Sequence, residues 1–267
     1  DKVTFIIAEA GVNHNGSVAT ARRLISAAKA AGADAVKFQA FTPERLDPPG
    51  SRRDMLKRLE LDKCELIALS LYAKKAGIEF MITPFDAEWL RWCVEALDLK
   101  RVKIASGCLW DTELLKAARD TGLPVILSTG LTDEAETWAA VGIVGPGNCT
   151  ILHCVSRYPT NVEDLNLLRL KEFDGFSGVG LSDHSTSILP PALAVSLGAT
   201  VIEKHLTLSR SHKGPDHAAS LEPLEFAEMV HLVRQAEKML GDGVMWPPHP
   251  DLAGSVKKER MAWRHMS

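Results

Sequence analysis

The feature that most constrains the fold is a regular alternation between short β-branched apolar runs and longer amphipathic segments, which occurs eight times along the chain. Apolar runs of this length, separated by helical patterns, are typical of βαβ units and therefore of a parallel sheet. The eight runs predict strands over residues 4–10, 35–41, 79–85, 101–106, 124–129, 150–155, 178–182 and 200–206.

The segments between these strands have the apolar periodicity of amphipathic helices. Helices are predicted over residues 17–31, 63–76, 111–121, 132–141, 188–197 and 223–240. Glycine readily adopts the left-handed conformation that closes a helix, and short polar side chains favour the N-cap. The predicted helix ends are Gly32, Gly77, Gly122 and Gly198, and the predicted N-caps are Ser17, Asp111 and Thr132.

Eight strand–helix units in a chain of 267 residues match the size of a closed (β/α)8 barrel. An open doubly wound sheet more often begins with a glycine-rich phosphate turn, and no Gly-x-Gly-x-x-Gly is present. We therefore predict an α/β fold, a single-domain (β/α)8 TIM barrel over residues 1–243, followed by a linker-like tail over residues 244–267. The proline-containing stretch 42–62 exceeds a normal βα loop, which predicts a lid over the catalytic face.

Composition excludes several classes of function. The chain has 46% hydrophobic and 24% charged residues, as ordinary globular proteins do. A net charge of -3 with scattered lysines and arginines gives no basic surface for nucleic acid. The sequence contains neither an apolar run long enough for a membrane span nor a signal-peptide pattern at its start. Five cysteines without Cys-x-x-Cys spacing argue against disulfides and structural zinc and favour the reducing cytoplasm.

Polar residues stand where nearly every predicted strand ends. In a barrel of this type the active site is built at the carboxyl ends of the strands. A barrel without a site would not place polar side chains at one edge of so many strands. The residues are Glu9, Asn13, His14, Lys37, Gln39, Thr83, Lys103, Ser106, Ser128, Thr129, His153, Ser182, Asp183, His184, Glu203 and His205.

Two of these residues, Lys37 and Lys103, alternate with apolar neighbours and so point into the barrel. A buried lysine is costly unless it meets an anion. Together with nearby hydroxyl groups, the two lysines predict a pocket for a phosphate or a carboxylate. The alternative is that each lysine extends its charged end to solvent. The hydroxyl groups belong to Thr83, Ser106, Ser128 and Ser182.

Two neighbouring strands end in histidine, at His184 and His205, and each histidine follows a polar residue two positions earlier, Ser182 or Glu203. Period-two geometry places each pair on one face, so the pattern predicts imidazole ligands for a divalent cation. Because the pattern supplies only two protein ligands, Mn²⁺ is favoured and Mg²⁺ or Co²⁺ are the alternatives. A zinc ion fully enclosed by protein ligands is less plausible. The alternative is a pair of hydrogen-bonded core histidines. His153 is interpreted as a core residue, whereas solvent exposure is expected for His212, His217, His231, His249 and His265.

Nine motifs, in order from about residue 5 to residue 243, make the chain resemble the sialic acid synthases. Each motif stands at or just after a predicted strand end. The motifs are Ile7-Ala-Glu-Ala-Gly-Val-Asn-His-Asn-Gly16, Asp34-Ala-Val-Lys-Phe-Gln39, Thr83-Pro-Phe85, Lys103-Ile-Ala-Ser-Gly107, Leu127-Ser-Thr-Gly130, Leu152-His-Cys154 with Tyr158-Pro-Thr160, Gly180-Leu-Ser-Asp-His-Ser185, Glu203-Lys-His205 and Gly214-Pro-Asp216.

This resemblance implies a metal-dependent condensation of phosphoenolpyruvate with the open-chain aldehyde of an N-acetylmannosamine-like sugar. The products would be a 2-keto-3-deoxy sugar acid and phosphate. It assigns His184 and His205 to the metal, Gln39 and Asp216 to the sugar, and Glu9 to a position near the reacting carbons. The residues that it places around phosphoenolpyruvate are Lys37, Thr83, Lys103, Ser106, Ser128, Tyr158 and Ser182.

Two departures from the family pattern concern the sugar. Cys108 stands where family members usually have a glutamate, and the antifreeze-like domain that reaches across a homodimer is not found in the sequence. The expectation is either a truncated barrel or a short paralogue that acts on a different acceptor. A homodimer is expected as well. Two other functions stay open, namely a phosphoenolpyruvate-dependent condensing enzyme for another aldose or aldehyde, and a non-catalytic metabolite-binding barrel.

Overall fold

The structure is a computed structural model that describes residues 3–173, 176–243 and 254–255. Apart from residues 254 and 255, the predicted tail 244–267 lies outside the described residues. The strands are β1 Phe5–Gly11, β2 Ala35–Ala40, β3 Glu79–Pro84, β4 Val102–Ile104, β5 Val125–Ser128, β6 Cys149–Cys154, β7 Gly178–Asp183 and β8 Val201–His205.

All eight strands form one parallel sheet in the order β3-β2-β1-β8-β7-β6-β5-β4. The two edge strands, β3 and β4, contact each other and nearly close the sheet into a barrel. The predicted (β/α)8 TIM barrel is therefore confirmed. Each strand lies where the sequence predicts it, with ends that differ by at most two residues.

Helices form an outer layer around the sheet. Their apolar faces pack on outward-facing strand residues such as Ile6, Val36 and Ile202. No helix in the described ranges combines the length and the apolar composition needed to cross a bilayer. The helices are α1 Val18–Ala30, α2 Pro43–Leu46, α3 Ser51–Leu59, α4 Lys63–Ala76, α5 Ala87–Ala96, α6 Thr112–Asp120, α7 Glu134–Val144, α8 Pro190–Ser196 and α9 Pro223–Leu240.

Two of the three predicted N-caps are confirmed. The side chains of Ser17 and Asp111 accept hydrogen bonds from backbone N–H groups of the first turn of α1 and α6. The prediction of Thr132 is wrong, because α7 is capped by Asp133. Asp133 accepts from the N–H of Glu136, whose carboxylate accepts from the N–H of Asp133. A carboxylate with a glutamate three residues later forms this reciprocal pair, and Thr132 has no such partner.

Two connections differ from the predicted helices. Helix α5 was not among the predicted segments, although Asp86 caps it by accepting from the N–H of Trp89. Between β6 and β7 the chain forms the short 3₁₀ helices Val162–Asp164 and Leu167–Phe173. Leu170 and Phe173 of the second one are buried against the barrel. These turns cover the sheet where the other connections place an α-helix.

Residues 42–62 contain two helices, α2 and α3, where the sequence predicts a long loop. Leu59 at the end of α3 is buried in a small apolar cluster with Val12 and Phe41. The carbonyl oxygen of Arg58 would lie only 2.2 Å from a Cβ atom built on Gly16. The segment therefore packs closely on the loop after β1, at the mouth of the barrel. A lid motion of this segment stays a prediction.

Candidate active site

The lumen of the barrel changes from apolar to polar toward the carboxyl ends of the strands. An apolar layer in the lumen is formed by Ile7, Ala35, Met81, Ile126, Leu152 and Val201 from six strands. Successive side chains in a strand alternate between faces, so the residue two positions further on also points into the lumen. Those residues are Glu9, Lys37, Thr83, Ser128, Cys154 and Glu203, and all of them line one pocket.

This central pocket has a volume of about 70 Å³. It brings together almost all of the residues that the sequence predicts for the site. Asp216 stands at its edge, with Oδ2 3.8 Å from Nδ1 of His205. The predicted residues that line the pocket are Glu9, Lys37, Gln39, Thr83, Lys103, Ser106, Ser128, Tyr158, Ser182, His184 and His205.

Lys37 lies between two carboxylates. Its Nζ atom is 2.9 Å from Oε2 of Glu9 and 3.3 Å from Oε2 of Glu203, and it donates a hydrogen bond of 2.8 Å to Oγ1 of Thr83. Burial alone would lower the pKa of Lys37, but Glu203 and Glu9 raise it above its usual value. Lys37 is therefore a buried ammonium group that stays charged.

Lys103 is the less compensated of the two lysines. Its Nζ atom is 3.6 Å from Oε1 of Glu203 and donates a 3.3 Å hydrogen bond to the carbonyl oxygen of Ile104. Burial lowers the pKa of Lys103, and the favourable effect of Glu203 offsets this only in part. An anion bound beside Lys103 would stabilise its charged form.

Glu203 joins the two lysines; the sequence analysis placed it at the catalytic strand ends but assigned it no role in binding or catalysis. Burial would raise the pKa of Glu203, but Lys103 and Lys37 lower it to about 2. Ser182 donates a 2.9 Å hydrogen bond to the same carboxylate. The signal in the sequence was its place two residues before His205, which puts both side chains on the lumen face.

Glu9 has the opposite character from Glu203. Burial raises the pKa of Glu9 to about 7, against the lowering effect of Lys37. Gln39 donates a 3.2 Å hydrogen bond to Oε1 of Glu9. Two carboxyl groups whose environments push their pKa values apart are suited to different roles. Glu203 provides a fixed negative charge, and Glu9 can hold a proton near neutral pH.

Hydroxyl groups line the lysine side of the pocket. The Oγ atom of Ser128 is buried and has no hydrogen-bond partner in the part of the chain that the structure describes. Ser106 Oγ lies 3.3 Å from Oγ of Ser156, which the sequence interpretation did not assign to the site. A buried hydroxyl without a partner is costly, and a ligand oxygen would satisfy it.

The two imidazoles lie side by side, with ring centroids 5.4 Å apart. Burial lowers the pKa of both His184 and His205, so both rings are neutral. Nδ1 of His184 donates to the carbonyl oxygen of Val155 at 2.8 Å, which leaves Nε2 as an acceptor for the hydroxyl of Tyr158 at 2.9 Å. Nδ1 of His205 is buried without a hydrogen-bond partner among the described residues.

These observations fit a divalent cation with two protein ligands. Neutral imidazole is the form that binds metals, and the backbone bond of His184 fixes its tautomer. The unpartnered Nδ1 of His205 gives that ring a free coordinating atom. Within the described ranges, no group of three or more His, Cys, Asp or Glu side chains could hold a metal. A cation here would therefore take its other ligands from water and substrate.

Close packing around Gly11 shapes the other side of the pocket. A Cβ atom built on Gly11 would lie 3.2 Å from Oε1 of Glu9, 3.3 Å from Oδ2 of Asp216 and 3.4 Å from Nε2 of Gln39. Gly11 also has φ +52°, a conformation that favours glycine. Burial raises the pKa of Asp216 to about 6. Glu9, Gln39 and Asp216 thus form a polar wall around Gly11.

Two further histidines, His153 and His217, and one cysteine, Cys154, are also buried. His153 is buried, and its Nε2 contacts the carbonyl oxygen of Leu165 at 2.7 Å, as expected of a core histidine. The prediction that His217 is exposed is wrong, because its ring is buried and hydrogen-bonded to Thr207. Cys154, also missed, lines the pocket, but burial raises the pKa of its thiol to about 11. This thiol is therefore not ionised near neutral pH.

Fold and site together define a (β/α)8-barrel enzyme whose strand ends carry two buried lysines, two carboxyl groups and two neutral imidazoles. Such a strand-end constellation is where catalysis takes place in barrels of this type. The chain belongs to the NeuB family, which matches residues 24–245.

Relatives of known name share most of the chain. It is 42% identical to the N,N'-diacetyllegionaminic acid synthase of Legionella pneumophila, over 93% of this chain and 76% of that protein. It is 35% identical to the human N-acetylneuraminate-9-phosphate synthase, over 89% of this chain and 71% of that protein. The crystal structure of an N-acetylneuraminic acid synthetase from Leptospira borgpetersenii in complex with citrate has a TM-score of 0.89. The two sequences are 38% identical, and the match covers 97% of this chain and 92% of the Leptospira chain.

Proposed function

We propose that this chain condenses phosphoenolpyruvate with the open-chain aldehyde of an N-acetylmannosamine-like sugar, in a metal-dependent reaction. The products are a 2-keto-3-deoxy sugar acid and inorganic phosphate. Named relatives that are sugar acid synthases support the reaction class. The observation that carries the proposal is the position of Lys37 and Lys103 in one pocket beside the neutral pair His184 and His205.

The charge of the pocket suits phosphoenolpyruvate, which carries both a carboxylate and a phosphate. Lys37 is a buried cation, Lys103 is a buried lysine whose charged form a bound anion would stabilise, and Glu203 lies between them as their shared carboxylate. Ammonium groups and hydroxyl donors bind phosphate and carboxylate oxygens by charge-assisted hydrogen bonds. We place Lys103, the less compensated lysine, and the unpartnered hydroxyl of Ser128 against the anion. Thr83, Ser106, Tyr158 and Ser182 complete this side of the pocket.

The proposed reaction forms one carbon–carbon bond and breaks one carbon–oxygen bond. C3 of phosphoenolpyruvate attacks the aldehyde carbon, water adds to C2, and the C2–O bond to phosphate then breaks. The aldehyde oxygen takes up one proton, and the water supplies the two protons that the new hydroxyl and the phosphate require. The sum is phosphoenolpyruvate plus aldehyde plus water, giving the keto acid and phosphate.

The residues of the chain divide this work between them. Glu9, with a pKa of about 7, can hold or release a proton at its carboxyl oxygens. Lys103 and Lys37 stabilise negative charge on the phosphate as it leaves. His184 and His205 would hold the cation, for which we favour Mn²⁺ over Mg²⁺ or Co²⁺. A bound cation supplies Lewis-acid polarisation of a carbonyl oxygen.

The acceptor sugar is the open part of the proposal. Relatives carry names of different sugar acids, and Gln39 and Asp216 on the polar wall are the residues that we assign to the sugar. Cys108, which stands where a carboxylate is expected two residues after Ser106, is buried in an apolar cluster, and burial raises the pKa of its thiol to about 11. A neutral thiol cannot replace the hydrogen bonds of a carboxylate, which favours a different aldose or aldehyde as the alternative acceptor.

Two further proposals concern the cellular setting. The first is a location in the reducing cytoplasm, with which the free cysteines of the described residues are compatible. We also propose a homodimer, which follows from the family resemblance. Sedimentation of the purified protein would test the dimer.

Phosphate release tests the reaction itself. Purified protein would be incubated with phosphoenolpyruvate, Mn²⁺ and a panel of aldoses, with N-acetylmannosamine first. We expect phosphate and a keto acid in equal amounts, and only when an acceptor is present. Tight phosphoenolpyruvate binding by calorimetry without phosphate release for any acceptor would instead favour the non-catalytic barrel.

Manganese binding tests the cation site separately. We expect His205→Gln to weaken Mn²⁺ binding about tenfold or more, because one of two protein ligands is lost. His153→Gln is the matched control, since His153 is equally buried but contacts the backbone of Leu165 away from the pocket. Equal Mn²⁺ affinity in the two variants would contradict the proposed ligand.

A further inference from the structure

A second and larger cavity opens at the mouth of the barrel. It has a volume of about 570 Å³ and lies between α3 and the loop that follows β8. We call it the outer cavity. Its lining includes Asn15, Met55, Arg58, Leu59, Lys213 and Pro215.

The outer cavity adjoins the polar wall of the central pocket. Pro215 in its lining directly precedes Asp216, whose carboxylate approaches Gly11 and His205. The central pocket, at about 70 Å³, is far smaller than the 300–1,000 Å³ or so of typical small-molecule sites. An acceptor that reacts in the central pocket must therefore extend outward. The outer cavity on the Asp216 side has the volume to receive it.

The charge of the outer cavity selects the kind of group that can bind there. Arg58 and Lys213 are its charged lining residues, and no carboxylate lines it within the described part of the chain. Neither residue has an ion-pair partner among the described residues, whereas Arg45 on α2 and Arg210 in the same loop after β8 are paired with acids. The backbone of Arg58 is held in place, because its carbonyl oxygen packs against Gly16. Two uncompensated cations beside apolar Met55 are suited to an anionic group on a carbon skeleton.

We propose that the outer cavity is a subsite for the distal end of the acceptor, and that Arg58 and Lys213 select acceptors with a phosphate ester there. This inference rests on the proposed condensation, since it concerns the substrate of the same site. Arg58 would bind two phosphate oxygens through its planar guanidinium group, and Lys213 would add a third contact. The aldehyde end would then reach Asp216 and Gln39.

Steady-state kinetics with a matched pair of acceptors tests the selection. At saturating phosphoenolpyruvate and Mn²⁺, kcat/KM is compared for N-acetylmannosamine 6-phosphate and N-acetylmannosamine. We expect the phosphorylated sugar to be preferred about tenfold or more, and the double variant R58M/K213M to bring the ratio close to one. The control R23M/K75M removes the same two charges from exposed positions on α1 and α4 and should retain the preference.

Direct binding separates this inference from the proposed reaction. Calorimetric titration with the same two sugars needs no turnover, so it is informative even if no phosphate is released from phosphoenolpyruvate. We expect only N-acetylmannosamine 6-phosphate to lose affinity in R58M/K213M. Equal binding of both sugars by the native protein would overturn the proposal. So would inorganic phosphate that competes as well as the sugar phosphate, since the cavity would then bind free phosphate and not the acceptor.

Discussion

At the scale of single residues, burial decides what each polar group of the site can do. Glu9 and Glu203 are both carboxyl groups near Lys37, yet the pKa of Glu9 is raised to about 7 and that of Glu203 is lowered to about 2. The difference arises because Lys103 and Ser182 also contact Glu203, whereas Glu9 has Gln39 as its other partner. One residue type thus provides both a proton-holding group and a fixed charge.

Lys103→Ala tests the role of the less compensated lysine. We expect the substitution to cost about 2–4 kcal/mol of transition-state stabilisation, measured from kcat/KM for phosphoenolpyruvate. The fold should be retained, because Lys37 still compensates Glu203. Lys75→Ala, which removes an exposed lysine on α4, is the control. Unchanged kinetics in Lys103→Ala would mean that this ammonium group does not contact the substrate.

At the scale of elements, the strand period explains why the site could be predicted. Lys37, Thr83 and Ser128 each stand two residues after an apolar lumen residue, so strand assignment was sufficient to place them. The sequence could not show the outer cavity, because it depends on how α3 packs against the loop after β8. It also could not show that His217 is buried, since that burial depends on the contact with Thr207.

Gly11→Ala tests the packing at the end of β1. Alanine at φ +52° should cost about 1–2 kcal/mol, and its methyl group would press on Glu9 and Asp216. Gly122→Ala is a matched control, because Gly122 has φ +68° but open space around it. We expect both variants to lose similar stability in urea unfolding and only Gly11→Ala to lose activity. Equal activity in the two variants would show that the wall tolerates the methyl group.

A buried ion pair outside the lumen holds the loop that follows β7. Nζ of Lys204 contacts Oδ2 of Asp183 at 2.5 Å and donates to the carbonyl oxygens of Ser185 and Ser187. Ser182 and His184, the neighbours of Asp183, line the pocket. The pair therefore fixes the backbone that positions a proposed metal ligand.

Lys204→Met should destabilise the protein by about 3–5 kcal/mol, because it leaves the carboxylate of Asp183 buried without its cation. The double variant with Asp183→Asn should recover part of the loss, since the remaining group is neutral. Urea unfolding of the two single variants and the double variant gives the coupling between them. Additive effects would indicate that the two side chains do not stabilise each other.

At the scale of the whole molecule, the regular alternation of strands and helices predicted the barrel, and the deviations from it have local causes. The connection between β6 and β7 lacks an α-helix in the described residues, and short 3₁₀ turns anchored by Leu170 and Phe173 replace it. Helices α2 and α3 were not predicted, because residues 42–62 contain several prolines and proline is common in loops. Tertiary packing of Leu59 makes these short helices stable, and no local pattern reports that packing.

The stability of the whole molecule at acid pH depends on its buried titratable groups. His14 is buried at the barrel mouth, and burial lowers its pKa to about 4. Below its unfolded-state pKa of about 6.5, His14 binds a proton in the unfolded chain, whereas the folded state excludes this proton. The contribution of His14 to stability is therefore present above pH 6.5 and is lost as the pH falls toward 4. Between pH 7 and pH 5 this single group should lower the free energy of unfolding by about 2 kcal/mol. Glu9 and Asp216, whose pKa values are raised, act in the opposite direction.

The contribution of His14 must therefore be measured as a difference, by urea unfolding of the native protein and of His14→Asn at both pH values. We expect the stability of the native protein relative to this variant to fall by about 2 kcal/mol at pH 5, whereas the same comparison with His231→Asn, an exposed position on α9, should not change. A pH-independent difference between the native protein and His14→Asn would mean that His14 is as readily protonated in the folded state as in the unfolded chain.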